Sequence, residues 1–436
     1  MALLPKPLPP YGELGELVVA TRSGPTTYST GEAGSANGFE HDLMQLFAAE
    51  LGVKARFIVT ANLEELNQHL VDGNVHLAAA WLDRRSNGAV HFSRPIYELR
   101  QMLVQHETSP SIIELGNLNG RVVATLSGSP AAVALKAMQS HVPGMALIEV
   151  ASGSDLELLE RASQRRIDLV ATDSAHFALA RNLYPSLQEA HPLPDSLTLS
   201  WAFPADADRQ LVERTNAFIA KAGRDGTLDR LIDRYFGHAN RLPALDVNVF
   251  VERIRTLLPR YREAFMMAGE RVGIDWRMLA ALAYQESHWN PAAESPTGVR
   301  GFMMLTEETA QRLNVADLLD PVQNIDAGAR YLAELRAQLP PEVVEPDRSW
   351  LALAAYNVGM RHVHSARTIA EDLGREPNSW YDMKSVLPLL SKPDYARQLK
   401  SRSARGHEAV AMVENVRVFY DLLCRHDRPA IQRQRR

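Results

Sequence analysis

Two patterns of apolar and polar positions divide the chain. From about residue 15 to 237, short β-branched runs alternate with amphipathic stretches, the pattern of an α/β architecture with mostly parallel sheets. Runs at 17–20, 56–59, 76–80, 121–126, 148–150, 168–172 and 199–203 predict strands. Residues 39–51 close on Gly52 and a segment capped by Asn62 reaches Gly73, so both predicted helices end at a residue able to turn left-handed. After Gly237 the strand signals vanish. The period becomes helical and predicts helices over 249–268, 275–287, 306–313, 326–339, 350–357 and 408–423. That switch sets a linker at 238–249, where Pro243 and small or polar residues interrupt both periods. The expected order is a tail (1–14), an α/β unit (15–237), the linker, an all-α unit (250–425) and a basic tail (426–436).

Length agrees with this division, since 436 residues exceed what one core usually organises. With 46% apolar and 23% charged residues the chain is ordinary globular protein. A formal charge of −5 gives no global positive field for nucleic acid, although Arg425, Arg428, Arg433, Arg435 and Arg436 make the C-terminus basic. No run of about 18 apolar residues exists to span a membrane. One cysteine, Cys424, excludes an intrachain disulfide and a thiolate metal cluster. Residues 2–10 lack the charged and apolar regions of an export signal.

The chemistry concentrates in the helical half. Asp275 is placed to cap a helix whose apolar face is Met278, Leu279, Leu282 and Ala283, and Glu286 continues that face. A carboxyl there is desolvated, which raises its pKa toward that of a general acid working near neutrality. Position alone equally allows a glutamate that caps neighbouring backbone.

The following residues favour the first of these readings. Gln285-Glu286-Ser287-His288-Trp289-Asn290-Pro291 leads into Ser295-Pro296-Thr297-Gly298-Val299-Arg300-Gly301-Phe302-Met303-Met304, and later comes Ala354-Ala355-Tyr356-Asn357-Val358-Gly359. These ordered motifs resemble the soluble-lytic-transglycosylase catalytic domain family over roughly 250–423. The resemblance implies a goose-type-lysozyme-like helical fold, a peptidoglycan glycan strand as substrate, a periplasmic site with outer-membrane attachment, and no metal or organic cofactor. It makes Glu286 the catalytic acid and base. It places Ser295 and Thr297 near the sugar N-acetyl group or the Glu286 carboxyl, Met303 and Met304 along the cleft, Asn357 as a polar contact and Tyr356 below it. Many relatives carry glutamine at Met304, although one subgroup has methionine. At Met412 the family usually has a tyrosine that reaches the glutamate; methionine fills space but donates no O–H. A binding-only domain, or a hydrolytic muramidase with Glu294 as second carboxylate, therefore stands beside the transglycosylase reading.

In the first half, 17–22, Gly38-Phe39-Glu40-His41-Asp42-Leu43, Phe92-Ser93-Arg94-Pro95-Ile96-Tyr97 and Asp168-Leu169-Val170-Ala171-Thr172-Asp173-Ser174 resemble the periplasmic amino-acid-binding proteins of solute-binding family 3. This implies two α/β lobes closing on a ligand, the second over about 105–199. That family clamps the ligand carboxylate with an arginine six residues before the phenylalanine of Phe-Ser-x-Pro. Here Ser86 holds that position and Arg85 lies one residue off. Ser127 and Ser129 remain as carboxylate contacts at a helix start, and Asp173 as the contact for a ligand amine. The displaced arginine favours a stem peptide of peptidoglycan over a free amino acid.

Overall fold

The computed structural model describes residues 8–30, 36–84, 90–238, 242–296, 298–398 and 404–426, in two compact units, 1–239 and 240–436.

In the first unit one sheet runs through both lobes. Its main strands are β1 (Glu16–Arg22), β2 (Lys54–Thr60), β3 (Leu77–Asp83), β4 (Tyr97–His106), β5 (Val122–Leu126), β6 (Ala146–Val150), β7 (Leu169–Asp173) and β8 (Leu187–Phe203). Their order is β2-β1-β3-β8-β4-β7-β5-β6. The flanks β2-β1-β3 and β7-β5-β6 are parallel, as the alternating pattern predicts. The centre is not: β8 pairs antiparallel with β3 and β4, and β4 with β7. The sequence reading missed β4 altogether and gave β8 only its last five residues. Polar Glu98, Arg100, Gln101 and Gln105 break the apolar run of β4, and β8 carries Pro192 and Pro194. Proline has no N–H for the ladder, and the register of β8 shifts between Pro192 and Ser196. These two long strands connect the lobes, whose helices are α1 (Phe39–Leu51), α2 (Leu63–Val71), α3 (Pro130–Gln139), α4 (Asp155–Ser163), α5 (Ser174–Leu183), α6 (Arg209–Arg224) and α7 (Thr227–Phe236). The core of the first lobe centres on Phe39, Phe47, Trp201 and Phe218, with Phe47 and Phe218 ring centroids 5.1 Å apart.

The second unit is helical: α8 (Ala244–Thr256), α9 (Arg262–Val272), α10 (Trp276–Ser287), α11 (Glu307–Arg312), α12 (Pro321–Gln338), α13 (Asp347–Val358), α14 (Met360–Asp372), α15 (Trp380–Val386), α16 (Pro393–Gln398) and α17 (Gly406–His426). The single helix expected over 249–268 is two, because Pro259 cannot continue the hydrogen-bond ladder and the chain tightens to a 3₁₀ turn at Leu258–Arg260. Helix α12 starts earlier than its apolar period, at Pro321, with Asp320 accepting from the Gln323 N–H. Helices α14 and α15 were not foreseen. At the centre lies α10, buried continuously from Met278 to Tyr284 and packed by α9, α12 and α17. Such all-round burial fixes the axis of α10, and so the place of whatever its last turn carries.

Candidate functional site

Glu286 stands in the last turn of α10, where the buried stripe reaches the surface. Asp275 begins the helix as expected, accepting from the Arg277 N–H at 2.9 Å, and His288 ends it with φ +52°. The Glu286 side chain is half-buried, and among the described residues no hydrogen bond reaches its carboxylate. Desolvation is therefore uncompensated and raises its pKa from 4.5 to about 7.

The three motifs meet at one turn. Ser287, beside Glu286, donates to the Phe302 carbonyl at 2.7 Å, and Tyr356 donates to the Met303 carbonyl at 2.7 Å. Asn324, fully buried, holds the same turn: its Oδ1 accepts from the Met303 N–H at 2.7 Å and its Nδ2 donates to the Leu318 carbonyl at 2.9 Å. Gly301 has φ +81°, and a Cβ there would lie 2.2 Å from the Leu318 oxygen. Only glycine fits. Met303 is fully buried and lies against Gly328 of α12. Met304 follows with φ +49°, a conformation non-glycine residues rarely adopt, and is half-buried.

The Tyr356 ring packs 5.2 Å from Tyr331. Burial, with the nearby charge of Glu286, raises its phenol well above the usual range. Asn357 is exposed at the end of α13, and Met412 is buried on α17, the helix packed along α10. Ser295 closes its own turn, with Oγ accepting from the Val299 N–H at 3.2 Å. Thr297 lies outside the described residues. The other acids nearby in sequence are differently placed. Glu294 is exposed and bound to Arg300 at 2.8 Å, while Glu307 and Glu308 lie exposed in the first turn of α11. Ser287 and Asn324 were missed as positioning residues. The signal for Asn324 was a polar residue one turn after the Asp320-Pro321 helix start.

The first unit has a second cluster, between its lobes. Ser129 is the N-cap of α3, accepting from the Ala132 N–H at 3.2 Å, and Ser127 is exposed just before it. Arg85, like the neighbouring Ser86, lies outside the described residues. Asp173 is the N-cap of α5. Its Oδ1 accepts from the N–H groups of Ala175 and His176 at the start of α5. Its Oδ2 faces Trp81 Nε1 at 2.9 Å and His176 Nδ1 at 2.7 Å. Among the described residues these four contacts bind Asp173 to the start of α5 and to Trp81. Burial alone would lower the His176 pKa, but Asp173 and Asp155 outweigh it and raise it to about 9. Thr26, from the other lobe, lies 3.1 Å from His176 Nε2. Trp81 has φ +59° and its N–H donates to the fully buried Glu40 at 2.6 Å. Burial raises Glu40 to about 8. Glu40, Trp81 and His176 were not foreseen here, because Trp81 meets Glu40 and Asp173, and His176 meets Thr26, across long stretches of chain.

Among the described residues no group of three His, Cys, Asp or Glu is placed to hold a metal, and no helix is long and apolar enough to cross a membrane.

A half-buried acid set beside a three-motif turn, preceded by a two-lobed α/β unit, defines a transglycosylase domain joined to a solute-binding module. Residues 263–378 match the family "Transglycosylase SLT domain" and residues 17–238 match "Bacterial extracellular solute-binding proteins, family 3". The chain is 41% identical over 428 residues to "Membrane-bound lytic murein transglycosylase F" of Methylobacillus flagellatus, covering 97% of this chain and 91% of the relative. It is 43% identical over 422 residues to the protein of that name from Nitrosospira multiformis, covering 96% and 88%. The structure of "An ancestral arginine-binding protein bound to arginine" is similar to 51% of this chain and 98% of that one, with TM-score 0.46 and 24% identity. The chain belongs to the membrane-bound lytic murein transglycosylase F family, and its enzyme class is lytic murein transglycosylase.

Proposed function

We propose that the second unit cleaves the β-1,4 bond between N-acetylmuramic acid and N-acetylglucosamine in peptidoglycan without water, leaving a 1,6-anhydromuramoyl end. One observation carries this reading: Glu286 alone, of the carboxyls around the turn, is desolvated, with a pKa of about 7. Raised into this range, the carboxyl can be protonated near neutrality and give its proton to the glycosidic oxygen. The C1–O4 bond breaks, and the resulting carboxylate takes the proton of the muramoyl C6 hydroxyl as O6 bonds to C1. The proton moves from O6 to O4 through one group, and Glu286 ends as it began. An ordinary glycosidase needs a second carboxylate to hold water or to attack C1. Glu294, the acid weighed for that part, is exposed and spent on Arg300, which favours the internal nucleophile. Ser287, Asn324 and Tyr356 fix the turn; Met303 and Met304 form the apolar wall, and Ser295, Thr297, Asn357 and Met412 complete the site.

The first unit binds a cell-wall peptide or an amino-acid-like ligand; the polymer substrate supports a periplasmic location, and the relatives' name, membrane-bound, supports attachment to the outer membrane. The test is mass spectrometry of purified peptidoglycan digested by the chain and by Glu286→Gln. Ends lighter by one water, absent with the variant, are expected. Reducing ends would replace this reading with hydrolysis, and intact polymer with binding alone.

A further inference from the structure

The chain just after Glu286 turns in a way that few residues accept. His288 and Trp289 stand next to each other with φ +52° and +59°, left-handed values that are costly for side chains this large. Such backbone persists only where its surroundings hold it, and helix α8 supplies the hold. Asp246, Phe250 and Arg253 lie on one face of α8, spaced by four and three residues. Phe250 is fully buried, its ring 4.4 Å from Tyr284, 5.4 Å from Trp289 and 4.6 Å from Phe419. Arg253 donates through one Nη to the His288 carbonyl at 2.9 Å and sets its guanidinium over the Tyr284 ring, 5.7 Å from the centroid. The Trp289 indole donates back to the Ala280 carbonyl at 2.8 Å. Tyr284 and His288, four residues apart, share one side of α10, and Glu286, midway between them, lies on the other.

We infer that Arg253 is a positioning residue of the cleavage reaction: by capping the end of α10 from behind, it holds the last turn so that the Glu286 carboxyl stays fixed and shielded from water. The inference rests on the reading of Glu286 as the acid and base and deepens it. A helix end leaves its last carbonyls without intrahelical partners, and a guanidinium both satisfies one of them and offsets the negative end of the helix dipole. Its plane also stacks on an aromatic face, which an ammonium does less well. Arg253 acts through the backbone: burial alone raises Glu286, and the guanidinium adds nothing to that shift. A last turn that slips admits water to the carboxyl and misaligns it, and a misplacement of about 1 Å can cost a reaction about 10²-fold.

Cleavage of soluble, uncrosslinked peptidoglycan strands by the full chain, followed across the pH range on either side of neutrality, tests this. Arg253→Gln lowers kcat about tenfold or more with KM within about twofold, and the alkaline limb of kcat, where the acid loses its proton, moves to lower pH as water reaches Glu286. Arg253→Lys recovers part of the rate, and Arg255→Gln, which removes an exposed cation of the same helix, leaves kcat within about twofold. The direction of the limb separates the causes. The other titratable groups here are Asp246, Tyr284 and His288 on the Arg253 side and Tyr356 on the Glu286 side. The guanidinium lowers Tyr284 and His288, so its loss would move a limb owed to either of them upward. Lost folded protein would lower kcat alike at every pH. An unchanged kcat, or a limb that stays or rises, overturns the inference while an inactive Glu286→Gln keeps the reading of Glu286. Glu286→Gln as fast as the parent overturns that reading and the inference with it.

Discussion

Glu286 and Glu40 are both carboxyls raised by desolvation, to about 7 and about 8, yet they serve opposite ends. Glu40 is sealed in the first lobe, and one oxygen accepts the N–H of a strained Trp81. Glu286 ends a rigid helix at the surface with no described hydrogen bond. The first spends its perturbation on holding protein. The second keeps its perturbation available to substrate. A shifted pKa therefore marks a site only where the group is left unsatisfied and reachable.

The largest effect that tests this contrast is on rate. Glu286→Gln lowers glycan cleavage by about 10²–10⁴-fold, the usual contribution of a general acid and base, whereas Glu40→Gln leaves cleavage within about threefold. Next comes the turn that presents the site. Gly301→Ala forces a methyl against the Leu318 oxygen at a positive φ, and denaturant unfolding reads a loss of more than about 2 kcal/mol.

The third effect has a pH sign. A carboxyl whose folded pKa is raised binds protons more tightly when folded, so its stabilising share is present below the unfolded value and is lost as pH rises through the folded one. For Glu286 the window runs from 4.5 to about 7. Glu286→Gln should be more stable than the parent at pH 8 by about 1–3 kcal/mol, with the difference gone near pH 4. Glu40 acts likewise between 4.5 and about 8. His176, raised from 6.5 to about 9, also loses stabilisation with rising pH, above 6.5. The first unit is therefore less stable as pH rises, and calorimetry of parent and Glu40→Gln at pH 5 and pH 9 should show the variant gaining with pH. The smallest effect is that of Tyr356→Phe, which removes the O–H to Met303 and costs about 1 kcal/mol of stability, read by thermal melting.

Much of the second site was legible before any fold was known. The stripe from Met278 to Ala283 places Glu286 on a buried face because helical period and sequence spacing are the same information. Ser287 and Tyr356 were visible as motif members, but the common turn they hold was not, since each bonds a backbone carbonyl that carries no sequence signal. In the first unit the parallel flanks were legible and the antiparallel centre was not, because β4 and β8 pair across the intervening residues 107–186.

What the sequence determined by itself is local: the βα rhythm, the helical second half, the caps at Asn62 and Asp275, and the apolar face that ends in Glu286. What the tertiary structure alone decided is which charges are spent. Asp173 reads in the sequence as a free acid after a strand, and is bound by the fold to Trp81, 92 positions away. Arg22 reads as an ordinary strand-end cation, and becomes buried near Asp155 and Glu40, its Nε without a hydrogen-bond partner among the described residues. Periodicity fixes where a side chain points along its own element; desolvation and hydrogen-bond satisfaction depend on neighbours that only folding supplies.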